Sequence, residues 1–206
     1  MSPRKRLPVL TEQVVGSIQA EATAKGLAFE RQVRREGRVT CSTGCDHCCY
    51  HPLEVSVLEV LPIYRYLAQN GRWTPSFVKM LEEHAKNTAY LPANVWLLTR
   101  IPCPLLKDSK CSVYDVRPFQ CRATWALADP YYCHGQRFGE RTSLVARGEV
   151  TADFVGYQRM LAQQAHTKLL FVPISRAILW AHRLATGELT LEALVAAMLD
   201  EFREAL

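Results

Sequence analysis

The stretch Cys41-Ser-Thr-Gly-Cys45-Asp-His-Cys48-Cys49 puts four of the chain's eight cysteines into nine residues. A second set follows at wider intervals: Cys103, Cys111, Cys121 and Cys133. Reduced thiols gain little by clustering, because each buries as a small apolar group as well alone as in company. A run this dense needs something to hold. The candidates are disulfides, zinc and iron–sulfur.

Size and setting rank these candidates. The chain has 206 residues, 49% of them hydrophobic and 22% charged, so it can bury a core without disulfides or metal. One domain over 1–206 is the expectation at this length. Met1-Ser-Pro-Arg-Lys-Arg is basic, but no apolar run of leader length follows it. No stretch reaches the length of a membrane span, and Leu169-Leu-Phe-Val-Pro173 is short and interrupted by proline. The expected setting is therefore the cytoplasm, without membrane attachment. Thiols stay reduced there, which disfavours disulfides and favours metal.

The balance is mildly basic, with a net charge of +5 and a pI of about 8.8. Arg31, Arg34, Arg35 and Arg38 precede the first cysteine, and Arg100, Arg117 and Arg122 punctuate the second set. Such charges can form a solvated helix face or a nucleic-acid patch. Their position fits a third role better, that of guanidinium groups offsetting thiolate charge. Nucleic acid is disfavoured as a partner.

Periodicity predicts a mainly α fold. Residues 11–36 read as a helix with Val14, Val15, Ile18, Ala22 and Phe29 on one face and Gly37 as its stop. Ser56 with Glu59 is a capping-box signal for a second helix, whose stripe is Val57, Leu58, Leu61, Tyr64 and Leu67; Pro62 should kink it or delay its start. Thr74-Pro75 opens a third, running to about Lys86, with Phe77, Met80, Leu81 and Ala85 inward. Prolines break the pattern between Tyr90 and Cys133, Lys107-Asp-Ser-Lys110 reads as a turn, and a short helix from Pro118 carries Cys121. Helices return over 151–206. One opens at Thr151 or Asp153 and another runs from Pro173 through His182 to Gly187. The last, capped by Thr190, has Leu194, Val195, Met198, Leu199 and Phe202 on its face. No strand alternation stands out. The expected architecture is a single helical domain around an irregular cysteine-rich metal-binding centre at 41–133, flanked by helices 11–36 and 151–206.

If 41–49 were helical, the four thiols would span only about 100° around the axis. Gly44 makes a loop wrapping a metal at least as suitable. Adjacent Cys48 and Cys49 can hardly point identically, so they either serve two metals or divide into ligand and neighbour. Zinc knuckles use two C-x2–4-C pairs, and the spacing from Cys103 to Cys111 is too wide for one. Iron–sulfur clusters accept a tight run plus a remote cysteine, which puts them modestly ahead.

These blocks resemble a known family. Cys41-x3-Cys45-x2-Cys48-Cys49 is followed by Cys103-Pro-Leu-Leu and then by Cys111-Ser-Val-Tyr114-Asp-Val-Arg117-Pro118-Phe-Gln-Cys121-Arg122. Together they are similar to the YkgJ-type cysteine-cluster family, described as zinc- or iron-chelating. A larger relative in that resemblance, flagellin lysine N-methylase, is linked to an iron–sulfur cluster and to methyl transfer from S-adenosylmethionine. The resemblance implies a metal site and leaves the reaction open. Cys41-x3-Cys45-x2-Cys48 also matches the radical S-adenosylmethionine signature. His47 stands where those enzymes carry an aromatic residue, and the alternating strands and helices of their barrel are not seen in the pattern.

The candidate metal ligands are thus Cys41, Cys45, Cys48, Cys49, Cys103, Cys111, Cys121 and Cys133. Arg117 and Arg122 are candidates to donate hydrogen bonds to bound sulfur, an effect that raises a cluster's potential. His47 and His134 adjoin cysteines, whereas His51, His84, His166 and His182 read as structural, and Trp73, Trp96, Trp125 and Trp180 as core. The favoured function is an iron–sulfur protein, carrying a 4Fe–4S cluster, with a redox or electron-transfer role and a protein redox partner. The alternatives are a zinc-binding interaction protein and an S-adenosylmethionine-dependent methyltransferase-like enzyme.

Overall fold

The computed structural model describes residues 44–124 and 171–204, scattered positions of 16–36, and Cys41, Ala126, Cys133, Gly156, Arg159 and Gln163. Among them the helices are α1 (Leu61–Gln69), α2 (Pro75–Thr88), α3 (Ala93–Thr99), α4 (Phe119–Ala123), α5 (Ile174–Ala185) and α6 (Leu191–Glu204). Four short strands accompany them: β1 (Glu54–Ser56), β2 (Leu106–Lys107), β3 (Lys110–Cys111) and β4 (Phe171–Pro173). The described positions from Gly16 to Arg35 are helical too, so the mainly α expectation holds. Of the helix expected from Thr151, Gly156, Arg159 and Gln163 are helical, and its apolar face lies outside the described residues.

Local chemistry explains most helix starts. Ser56 Oγ accepts the Glu59 N–H at 3.2 Å, but the residues after it form turns, and α1 opens only at Leu61 with Pro62 in its first turn. Proline has no N–H to give and is tolerated there, so it delays this helix instead of kinking it. Thr74 is extended, its Oγ1 accepts the Phe77 N–H at 3.2 Å, and Pro75 begins α2. Thr190 caps α6 in the same way through the Ala193 N–H at 3.2 Å.

The strands depart from the sequence expectation. β1 pairs antiparallel with β4, Val55 opposite Val172, and β2 pairs with β3, Leu106 opposite Cys111 and Lys107 opposite Lys110. Segments of two or three residues are too short to show alternation. The turn at Lys107–Lys110 does form, with Asp108 and Ser109 both at positive φ, 50° and 56°, the left-handed pair that a tight hairpin uses.

The chain divides into two compact units. One is built mainly from Glu54–Tyr90 and Gly156–Leu206. Its centre is α5, which touches α1, α2, α6, β1 and β4. Ile63, Leu67, Leu81, Ile174, Ile178 and Leu194 are fully buried in it. On α6, Leu194 and Met198 are buried and Val195 and Leu199 half-buried, while the side chain of Phe202 lies outside the described residues. Tyr64, Trp73, Phe77 and His182 form an aromatic group, with the Tyr64 and Trp73 rings edge-on at 4.9 Å. His84 Nδ1 meets Ser175 Oγ at 3.1 Å, a structural role as expected.

The other unit is built from Gln19–Leu53 and Leu91–Val155 and contains all eight cysteines. Trp96, Leu105, Val113 and Phe119 are buried there. Trp96 Nε1 donates to the Ile101 carbonyl at 3.2 Å, and α3 ends at Arg100 in the left-handed region, φ 52°. Trp96 and Trp180 are core residues; Trp73 is half-buried and Trp125 lies outside the described residues. Among the described residues no helix is long and apolar enough to cross a membrane.

Candidate metal centre

The tight cysteine run is a turn followed by a short 3-10 helix, not an α-helix. Gly44 takes φ +87°, which side chains rarely adopt, and the chain then winds through His47–Tyr50. The Cys49 N–H donates to the Asp46 carbonyl at 2.8 Å and the His51 N–H to the Cys48 carbonyl at 3.2 Å. Successive residues of a 3-10 helix sit about 120° apart, so Cys48 and Cys49 leave the backbone in different directions. Their thiols nevertheless meet in a hydrogen bond.

The two cysteine sets are joined by backbone. The Cys103 N–H donates to the Cys49 carbonyl at 2.7 Å, and the Leu106 N–H donates back to the Cys103 carbonyl at 2.9 Å. The hairpin then sets Cys111 opposite Leu106. Two further ties reach the outlying cysteines. The Ala126 N–H donates to Cys41 Sγ at 3.1 Å, and His51 Nε2 donates to the Cys133 carbonyl at 3.1 Å. Cys48 is exposed, Cys133 is buried, and Cys121, in the middle of α4, is half-buried.

Electrostatics tie the sulfurs more closely. Burial raises the Cys41 thiol, and the neighbouring Cys45 and Cys48 add to the shift against Arg34. Burial pushes Cys103 up to about 12, with Cys111 and Cys48 contributing. Cys111 is raised by burial and by Cys48, opposed by Arg117 and Arg122. In the vicinal pair the shared hydrogen bond draws Cys48 down, helped by Arg117 and opposed by Asp46. The same bond pushes Cys49 up, as do burial, Cys48, Cys103 and Cys111. Cys41, Cys49, Cys103 and Cys111 thus each have neighbouring thiols among the causes that raise them. That repulsion opposes their ionisation, and a bound cation is what would relieve it.

The two arginines of the second block are placed by backbone oxygens. Arg122 is buried, 4% exposed; its Nε donates to the Arg117 carbonyl at 2.8 Å and its Nη2 to the Asp115 carbonyl at 2.6 Å. Arg117 lies over the Tyr114 ring at 3.6 Å and donates from Nη1 to the Tyr114 carbonyl at 3.0 Å. Both act on cysteine through space: Arg117 on Cys48 and Cys111, Arg122 on Cys111. The backbone donors at Cys103 and Ala126 escaped sequence reasoning, since a backbone N–H carries no residue identity. Arg34, in the basic run before the first cysteine, acts on Cys41.

Among the described residues no group of three His, Cys, Asp or Glu side chains stands so as to hold a metal ion. The sulfurs are gathered within electrostatic reach, not closed into a coordination shell. By chemistry the donor set fits a thiolate-bound metal: soft sulfur ligands, two chain segments joined at their backbones, and guanidinium groups alongside.

A sequence profile of the CxxCxxCC family, described as a zinc- or iron-chelating domain, matches residues 40–143. Nothing among curated proteins and nothing among solved structures matches the chain.

Proposed function

In a chain that belongs to the CxxCxxCC family of zinc- or iron-chelating domains, we propose that the cysteines of residues 41–133 hold an iron–sulfur cluster and that the protein passes electrons to a protein redox partner in the cytoplasm. The observation that carries the reading is the backbone hydrogen bond from the Cys103 N–H to the Cys49 carbonyl at 2.7 Å, which brings the second cysteine segment against the tight run. A cluster bound there would supply one-electron transfer. The protein's part is to present the sulfurs and to tune them. The charges of Arg117 and Arg122 favour the Cys111 thiolate, and positive charge of this kind favours the more negative, reduced state of a cluster and raises its potential.

The second reading is zinc. Cys48 and Cys49 lie on one of the two segments joined by that hydrogen bond, Cys103 and Cys111 on the other, and four thiols are the number that a closed structural zinc site takes. Thiolate sites accept both metals, so zinc is the expected substitute after aerobic expression. Anaerobic purification decides between them. The cluster reading expects iron with acid-labile sulfide and a broad brown absorption that bleaches with dithionite. Colourless anaerobic protein with stoichiometric zinc and no iron would establish the zinc reading in its place.

A further inference from the structure

We propose that the β2–β3 hairpin tip and the 3-10 turn after it, from Lys107 to Arg117, form the docking surface for the redox partner, and that the partner is a protein presenting carboxylates there. The inference rests on the electron-transfer reading proposed above and names the chemistry of its partner.

The hairpin carries a charge arrangement that its own fold does not reward. Lys107 and Lys110 stand directly opposite each other across β2 and β3, and both are exposed. Like charges directly opposite on a ladder destabilise it. Neither lysine makes an ion pair among the described residues. Two cations are therefore held at the tip of a tight turn, against their mutual repulsion and open to solvent.

The 3-10 turn Tyr114–Val116 adds an anchor. Tyr114 is 57% exposed, an unusual place for a large aromatic side chain. The Arg117 guanidinium sits over its ring at 3.6 Å, and Arg117 Nη1 donates to the Tyr114 carbonyl at 3.0 Å. Those two contacts hold the guanidinium in place. Its other N–H groups make no hydrogen bond among the described residues. A planar fork held this way is ready to donate to a carboxylate. Tyrosine and arginine are the residues that most often anchor protein contacts, and charges at the rim steer the approach.

The position suits a redox partner. The Ser112 N–H donates to the Leu105 carbonyl at 2.9 Å, the Leu106 N–H to the Cys103 carbonyl at 2.9 Å, and the Cys103 N–H to the Cys49 carbonyl at 2.7 Å. The surface is thus continuous, through backbone hydrogen bonds, with both cysteine segments. Asp108 and Asp115 are exposed between the cations. Those carboxylates would repel the phosphates of a nucleic acid. A protein can set carboxylates against Arg117 and the lysines and cations against the aspartates, so the interleaved signs favour a protein.

The probe is a flavodoxin, an acidic one-electron carrier, with basic cytochrome c and a DNA duplex as the competing chemistries. Binding to the anaerobically purified full-length protein is followed by interferometry at low and high salt. Flavodoxin is expected to bind best, and salt to weaken it. Lys110→Glu turns the opposed lysines into an opposite-charge pair, so the hairpin should be no less stable while flavodoxin binding falls about tenfold. Tyr114→Ala should weaken binding by about tenfold as well. Far-UV circular dichroism and metal content should match the wild type in both variants. Unchanged binding in both would overturn the surface. A wild type that binds no flavodoxin, or that binds cytochrome c or the duplex more tightly, would overturn the carboxylate-bearing partner. Flavodoxin that docks here without passing electrons in either direction would overturn the electron-transfer reading and leave the docking surface standing.

Discussion

Arg122 shows how a buried guanidinium can serve backbone oxygens. It donates to the carbonyls of Asp115 and Arg117, which closes the loop between the 3-10 turn Tyr114–Val116 and α4. Hydrogen bonds from a charged donor contribute about 1.5–3 kcal/mol each, and removal strands both acceptors. Arg122→Met keeps much of the volume and should therefore lower unfolding stability by about 2–4 kcal/mol. Arg122→Lys should recover only part of this, because an ammonium lacks the planar fork. Urea midpoints would measure both. A Met variant as stable as the wild type would show that the loop is held by something else.

At the scale of elements, α2 depends on a cap that can be removed singly. Thr74 Oγ1 accepts from the Phe77 N–H, and α2 carries the fully buried Leu81 against its neighbour α5. Thr74→Ala should cost about 1 kcal/mol of stability. Thr74→Ser should cost much less, since serine caps as well as threonine. Thermal denaturation of the two variants tests this, and equal losses would assign the effect to packing of the methyl group and not to the cap.

The last helix has a larger part. Leu194 and Met198 of α6 are buried, at 1% and 3% exposure, and each such side chain contributes about 1.5–3 kcal/mol by its burial. A chain truncated before Thr190 should therefore melt several degrees lower. An unchanged midpoint would make α6 an appendage.

At the scale of the molecule, most of the fully buried apolar side chains among the described residues lie in the unit without cysteines. Ile63, Leu67, Leu81 and Ile178 lie in the unit that has no cysteine, and every cysteine lies in the other. Apolar burial needs no metal, whereas thiols that repel one another do. Stripping the metal with a chelator should therefore leave amide protection in α1, α2 and α5 largely intact. Protection should fall at Cys49 and His51 and around the Leu106–Cys111 hairpin. Hydrogen exchange with and without metal tests this residue by residue. Uniform loss of protection would mean that the metal supports the whole chain.

The sequence by itself determined what depends on neighbours a few residues apart. Thr74-Pro75 and Thr190 cap helices, Lys107–Lys110 turns, Pro118 precedes a short helix and Gly187, at φ +76°, follows the end of α5, because each needs only local backbone and side-chain chemistry. The cysteine spacing likewise identified the candidate site and its family. Tertiary structure alone decided the rest. β1 and β4 are three residues each and pair only because distant helices bring them together. The Cys103 N–H finds the Cys49 carbonyl, the Ala126 N–H finds Cys41, and Arg122 donates to the carbonyls of Arg117 and Asp115. Backbone donors and acceptors are the same at nearly every residue. Which of them meet is written in the path of the chain through space, not in the identity of any side chain.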